Sequence, residues 1–278
     1  MDSIPRHVVD AELVQEGLER EQAALQSLLD AEVTDAYTLA DLVSVATAAA
    51  GYLAASGAAT SEVCRAMRVG AQSAAGLFSL ASGLGDVDLA IADRRLRLPA
   101  TGPTDATHVG RWRTGWWLAT IVGDEHCIDR LAEVPVEVLR ASSTQADDCQ
   151  YLFAEALQLY DRRTAGWADK LQAALEATDP EPRELIDEAY VLNILVPEMQ
   201  LVFQHAVGDV APFEQAFEFA LTRHQNYWST PERFRDPDGF IALGPTALAV
   251  MGRAAGYPIH GVSDYAPREL LDGACRSR

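Results

Sequence analysis

The chain has one lysine, Lys170, and only 22 basic residues against 41 acidic ones in 278 positions. A nucleic-acid binder needs a basic face to neutralise phosphates, and a formal net charge of −19 speaks against one. The same deficit speaks against an anionic membrane surface. CxxC spacing is absent. The four cysteines, Cys64, Cys127, Cys149 and Cys275, stand far apart in a chain long for a disulfide scaffold, so reduced thiols are expected. The start, MDSIPRHVVDAELVQEGLEREQ, is acidic and amphipathic, without the basic stretch and apolar run of a signal peptide, and a cytoplasmic location is expected. The nearest approach to a long apolar run is Leu42 to Ala59. Its alanine, serine and glycine predict a tightly packed soluble helix, not a membrane span. Metal spacing is also missing. His126-Cys127 follows Asp124-Glu125, but adjacent residues on a helix point about 100° apart and do not share one ion. There is no nucleophile elbow, and neither metal nor cofactor is expected.

What is present is helical periodicity. Ala11 to Leu29 carries apolar residues close to a 3.6 period, Thr34 to Ser56 opens at a capping Thr34 or Asp35, and Thr60 to Ala81 opens with Thr60 as N-cap. Val87 to Leu98 alternates apolar and polar residues and predicts a small hairpin. Further helices are predicted over Val109–Val122, Asp124–Ala132, Asp147–Tyr160, Thr164–Ala177, Glu184–Val207, Pro212–Trp228 and Phe240–Ala255. Pro197 is expected to kink or divide the Glu184–Val207 helix, and Pro245 to mark a helix start or a kink. The fold expected is all-α: one domain over residues 1–278, an antiparallel, helical-repeat-like array of about ten helices with a small hairpin near 87–98. Residues 1–85 form its N-terminal three-helix part and residues 105–278 the remainder. Asp147 to Glu218 holds fifteen acids and four bases, a local net of −11.

Two stretches are dense in aromatic, glycine and proline residues. The first contains Gly102-Pro103-Thr104, Trp112, Trp116, Trp117, Val134-Pro135 and Leu139-Arg140. The second contains His224, Tyr227, Trp228, Ala242-Leu243-Gly244-Pro245, Ala247-Leu248-Ala249, Pro258, Ser263-Asp264-Tyr265, Pro267, Leu270 and Leu271. Together they resemble the Immunity 49 family of bacterial proteins, encoded beside polymorphic toxins. The chain departs from the family pattern at Gln225, where lysine is usual, and at Ala266, where leucine precedes the proline.

The resemblance implies a protein that binds a cognate toxin domain and blocks it, with no chemistry of its own. The acidity is compatible with a basic partner, since opposite fields speed encounter. Candidate anchors are Trp112 and Trp116, four residues apart on one helix face, with Trp117, Tyr227, Trp228 and Tyr265. One or two of the three clustered indoles are expected in the core, and one at the surface. The rival is an enzyme or small-molecule-binding helical protein recruited to a biosynthetic pathway. Pro197 and Pro245 would each open a pocket by freeing backbone carbonyls, and Glu198, His205, His224 and Asp264 would be its acid/base groups. Glu198, on the otherwise apolar LNILVPEMQLVFQ, reads as a buried acid needing a partner such as Arg223. A third possibility is an adaptor with many partners.

Overall fold

Side chains no larger than alanine along α2 (Ala36–Ser56) let α1 (Ala11–Asp30) and α3 (Thr60–Ser82) pack closely on either side of it. The computed structural model describes residues 3–33, 35–179, 185–261 and 263–276. Asp35 caps α2, accepting from the Thr38 N–H at 2.8 Å; the alternative cap, Thr34, lies outside the described residues. Helix α3 begins one residue earlier than expected: the chain turns at Ala59, and Thr60 is its first helical residue instead of its cap. By length and composition α2 would cross a membrane, but most of it is buried between its neighbours.

The alternating stretch forms the predicted hairpin, β1 (Asp86–Ile91) against β2 (Arg94–Pro99), antiparallel with Leu89 opposite Leu96. Leu89, Ile91 and Leu98 turn inward. Arg94 pins the arm to the end of α1, donating to the carbonyls of Leu29 at 2.7 Å and Ala31 at 2.6 Å.

Helix α4 (Val109–Val122) is buried on every side by α3, α5 (Glu125–Ala132), α7 (Asp148–Asp161) and α12 (Leu243–Ala254). That central position corrects the expected division of its indoles between core and surface. Trp112, Trp116 and Trp117 are 0%, 3% and 2% exposed. Trp112 and Trp116 stack with centroids 5.1 Å apart, and Trp112 Nε1 donates to the Leu131 carbonyl at 3.0 Å. Trp117 points the other way, toward Phe153. The short α6 (Val136–Arg140) and α8 (Trp167–Glu176) flank α7.

The next helix is described from Glu188; Glu184, its expected start, lies outside the described residues. It runs as α9 (Glu188–Tyr190), a π-helical turn (Val191–Leu195) and α10 (Val196–Val207). Proline at 197 has no N–H to return to the preceding turn, and the helix meets this by widening just before it: the Val196 N–H reaches back five residues to the Val191 carbonyl. After α11 (Val210–Trp228), a 3-10 turn over Pro237–Gly239 leads into α12, with Ala242 as its N-cap. Pro245 therefore stands in the first turn, where its missing N–H costs nothing. A short α13 (Arg268–Leu271) closes the array. Buried residues from Val14 to Cys275 form one contiguous cluster.

The expectation of reduced thiols is corrected for one pair. Helix α13 packs against α3 and brings Cys275 to Cys64 across 211 residues, with Cα atoms 5.1 Å apart and the sulfurs bonded. Sequence spacing carries no information about such a contact. Cys127 and Cys149 are buried outside this pair. Closing so long a loop restricts the unfolded chain, so reduction is expected to lower stability by about 2–4 kcal/mol. Thermal denaturation with and without reductant measures this, and a Cys64→Ser variant indifferent to reductant confirms the source. An unchanged Tm on reducing the wild type would contradict it.

Candidate functional site

Burying α4 also buries Arg113, which lies among its tryptophans and is only 6% exposed. A guanidinium stays charged inside a protein and needs partners there. Arg113 Nη2 donates to the Tyr190 hydroxyl. Its Nε lies 3.6 Å from Glu198 Oε2 on α10. Glu198 is the buried acid that its apolar surroundings indicated, but Arg113 holds it, and not Arg223, whose guanidinium lies 5.1 Å over the Phe219 ring instead.

Tyr190, Asn193, Ile194, Pro197 and Glu198 follow the i, i+3, i+4, i+7, i+8 spacing of one helix face, and they form one wall across the π-helical turn before Pro197. Opposite them stands the first turn of α12, with Leu243, Gly244 and Pro245. Glycine at 244 makes room for the carboxyl, since an added Cβ would come within 2.8 Å of three Glu198 side-chain atoms and force that side chain to shift. Between the two walls lies a cavity of about 150 Å³, closed further by Thr47, Trp117, Ala220, His224, Trp228 and Ile241. Both prolines predicted to open a pocket do line one.

Electrostatics at the wall are unusual. Burial pushes the Glu198 carboxyl up to about 7, opposed by the Arg113 charge. Three polar atoms in this wall are buried without a hydrogen-bond partner: Arg113 Nη1, Glu198 Oε2 and Trp117 Nε1. Trp117 Nε1 approaches the Glu198 carboxyl without reaching hydrogen-bond geometry. His224 donates from Nε2 to the Gly239 carbonyl at 3.0 Å, and burial holds it neutral by pulling its pKa down to about 3. A carboxyl that titrates near neutrality can accept or release a proton at physiological pH, and the wall as a whole can hold a small polar molecule.

The other acid/base candidates lie elsewhere. His205 packs among Tyr160, Phe213 and Tyr257. Asp264 is part of a clamp on the N-terminal strand of chain. It accepts from the Arg6 N–H at 3.1 Å, while Ser263 Oγ donates to the Ile4 carbonyl and the Tyr265 hydroxyl accepts from the His7 N–H. Because His7 Nε2 donates to the Phe234 carbonyl, its Nδ1 is the acceptor for the Tyr265 hydroxyl, 2.8 Å away. Tyr265 is fully buried, and a buried ring offers no surface to a protein partner; the same holds for Trp112, Trp116 and Trp117. Tyr227 and Trp228 are half-buried. Tyr227 meets Tyr190 edge-on at 5.6 Å, with the Arg233 guanidinium 4.3 Å over its other face, beside the cavity. Trp228 lies on Gly239, where a Cβ would come within 2.6 Å of its ring.

The residues that pack here are largely those of the two aromatic stretches. The family model for Immunity protein 49 matches residues 55–270. The chain belongs to that family. No curated protein and no solved structure matches it. Within this immunity protein the match covers α3 to α13 and takes in Arg113, Glu198, His224 and Gly244; α1, most of α2 and the N-terminal strand precede it. Arg113 and Tyr190 were not singled out from sequence. The signal for Arg113 was an arginine between tryptophans on a helix with no polar face.

Two outcomes follow. Glu198 titrates at 4.5 unperturbed and about 7 in the folded protein, so the stability it contributes is complete below pH 4.5 and is lost as pH rises toward 7. The stability difference between Glu198→Gln and the wild type should shift in the variant's favour by about 1–3 kcal/mol across that interval. Urea denaturation at a series of pH values tests this, and a difference independent of pH would refute it. Gly244→Ala should cost about 1–3 kcal/mol through overpacking against the carboxylate; an unaltered denaturation midpoint would show that the wall gives way freely.

Proposed function

We propose that this protein neutralises a cognate toxin domain by binding it and covering its working face. Family membership over residues 55–270 carries this reading. The charge supports a basic partner: the formal net is −19, and Asp147 to Glu218 alone contributes −11. Inside that acidic stretch α10 exposes Phe203 (47%) and Val207 (57%), one turn apart on one face of the helix. Exposed apolar side chains of this kind form the centre of many protein–protein contacts. Steering by opposite charge raises the association rate and makes it salt-sensitive, while the apolar centre slows dissociation.

A toxin domain encoded beside this chain, as family membership leads us to expect, provides the test. Co-expression should restore growth, and the purified proteins should form a complex whose association rate falls steeply with ionic strength. Phe203→Ala should weaken the complex about tenfold or more if Phe203 is central to the contact. Growth restored without any complex between the purified proteins would reject neutralisation by binding.

A further inference from the structure

The cavity between α4, α10, α11 and α12 is not needed for a docking function. A protein that works only by its outer surface gains nothing from an arginine, a glutamate and an indole buried with their hydrogen-bonding capacity unfilled. Each such atom costs free energy, and the cost is larger where the group is charged. All three belong to one wall: Arg113 Nη1 and Trp117 Nε1 are donors, Glu198 Oε2 is an acceptor, and each residue lines the same cavity. Arg113 and Glu198 are in ionic contact at 3.6 Å, beyond hydrogen-bond length, so their charges balance while these atoms remain unfilled.

We infer that this cavity binds a small amino-acid-like molecule, its carboxylate on Arg113 and Trp117 and its ammonium on Glu198. Arg113 and Trp117, four residues apart on one face of α4, each offer a free donor to an oxygen of a carboxylate, and the unfilled Glu198 Oε2 matches an N–H group. A simple anion would face Glu198, and a simple cation would face Arg113; a molecule carrying both groups satisfies the set and leaves the net charge of the wall unchanged. Ile194, Pro197, Leu243 and Pro245 give the lining an apolar patch that suits an aliphatic side chain, beside polar Thr47, Asn193 and the acid Asp238. The volume of about 150 Å³ limits its size, since a cavity of that order holds a molecule about as large as benzene. Access has a structural route. A second recess on the far side of Arg113, lined by His108, Gln145, Gln150 and Ile186, shares Arg113, Thr114 and Tyr190 with the inner cavity. The Arg113–Tyr190 hydrogen bond is therefore part of the partition between them.

Thermal shift and isothermal titration of the purified full chain against the free amino acids test this, with propionate and propylamine as single-charge controls. Small aliphatic amino acids, at about 10 mM, should raise Tm by several degrees. Phenylalanine and tryptophan should not, and each single-charge control should bind about tenfold or more weakly. Glu198→Gln should weaken binding by a similar factor. Should that variant fail to fold, Ala220→Leu, which fills the cavity from α11, should abolish the amino-acid signal in saturation-transfer NMR. Failure of every amino acid to shift Tm would overturn the inference, as would equal binding by wild type and Glu198→Gln, or binding that survives Ala220→Leu. Equal binding of propionate and alanine would overturn the assignment of the ammonium to Glu198.

Discussion

A guanidinium carried into an apolar interior must be met by a counter-charge, and Arg113 is carried there by the helix at the centre of the array. Helix α4 packs against α3, α5, α7 and α12, and Arg113 lies inside that packing at 6% exposure. Glu198 answers it from α10, at 3.6 Å. Removing one partner of such a pair leaves an uncompensated buried charge, which costs far more than the pair itself contributes. The relative placement of α4, α10 and α12 is tied to that contact. Glu198 must reach Arg113, and α12 must begin with a residue small enough to let it pass. Gly244 supplies that space.

The aromatic and glycine positions of the second stretch work as matched surfaces. His224 donates to Gly239, and Trp228 lies on the same glycine. The Tyr265 ring stands edge-on to His224 at 4.9 Å and turns its hydroxyl to His7. A motif scattered over some forty residues is thus one packed unit, which fastens α11, the 3-10 turn and the N-terminal strand together. This explains why the motif has no catalytic spacing: its residues are matched to one another. Arg113, Trp117 and Glu198, each with an unfilled polar atom, line the same cavity as His224 and Trp228 of that motif.

Much of this was legible from residue patterns, because the helices are long and their apolar periods regular. The hairpin followed from the alternation at Leu89, Ile91, Leu96 and Leu98. Glu198 stood out as a buried acid because it is the one charged residue in a mostly apolar stretch. Its partner was not legible. Arg113 and Arg223 both have apolar neighbours in sequence, and only the tertiary placement of Glu198 beside Arg113 separates them. The disulfide was hidden for the same reason, since nothing local links Cys64 to a residue 211 positions away. The tryptophans misled by number. Three rings in six residues cannot share one contact on a surface helix, but a helix enclosed on all sides has a contact in every direction.

Pro197 links these levels. In a regular helix its missing N–H would leave the carbonyl four residues back, that of Asn193, without its usual donor, and the ring would clash with it. Widening the helix by one residue over Val191–Leu195 removes the clash and rotates everything before it relative to everything after it. Tyr190 and Asn193, from before the proline, and Glu198, from after it, face one space. Asn193 Nδ2 donates to the Ala189 carbonyl at 2.7 Å, within the same irregular turn. Positions 190, 193, 194, 197 and 198 follow the i, i+3, i+4, i+7, i+8 spacing of one helix face, and the widened turn keeps them on one wall. That wall gives one buried arginine two partners, Tyr190 and Glu198, and leaves its third nitrogen, Nη1, unfilled.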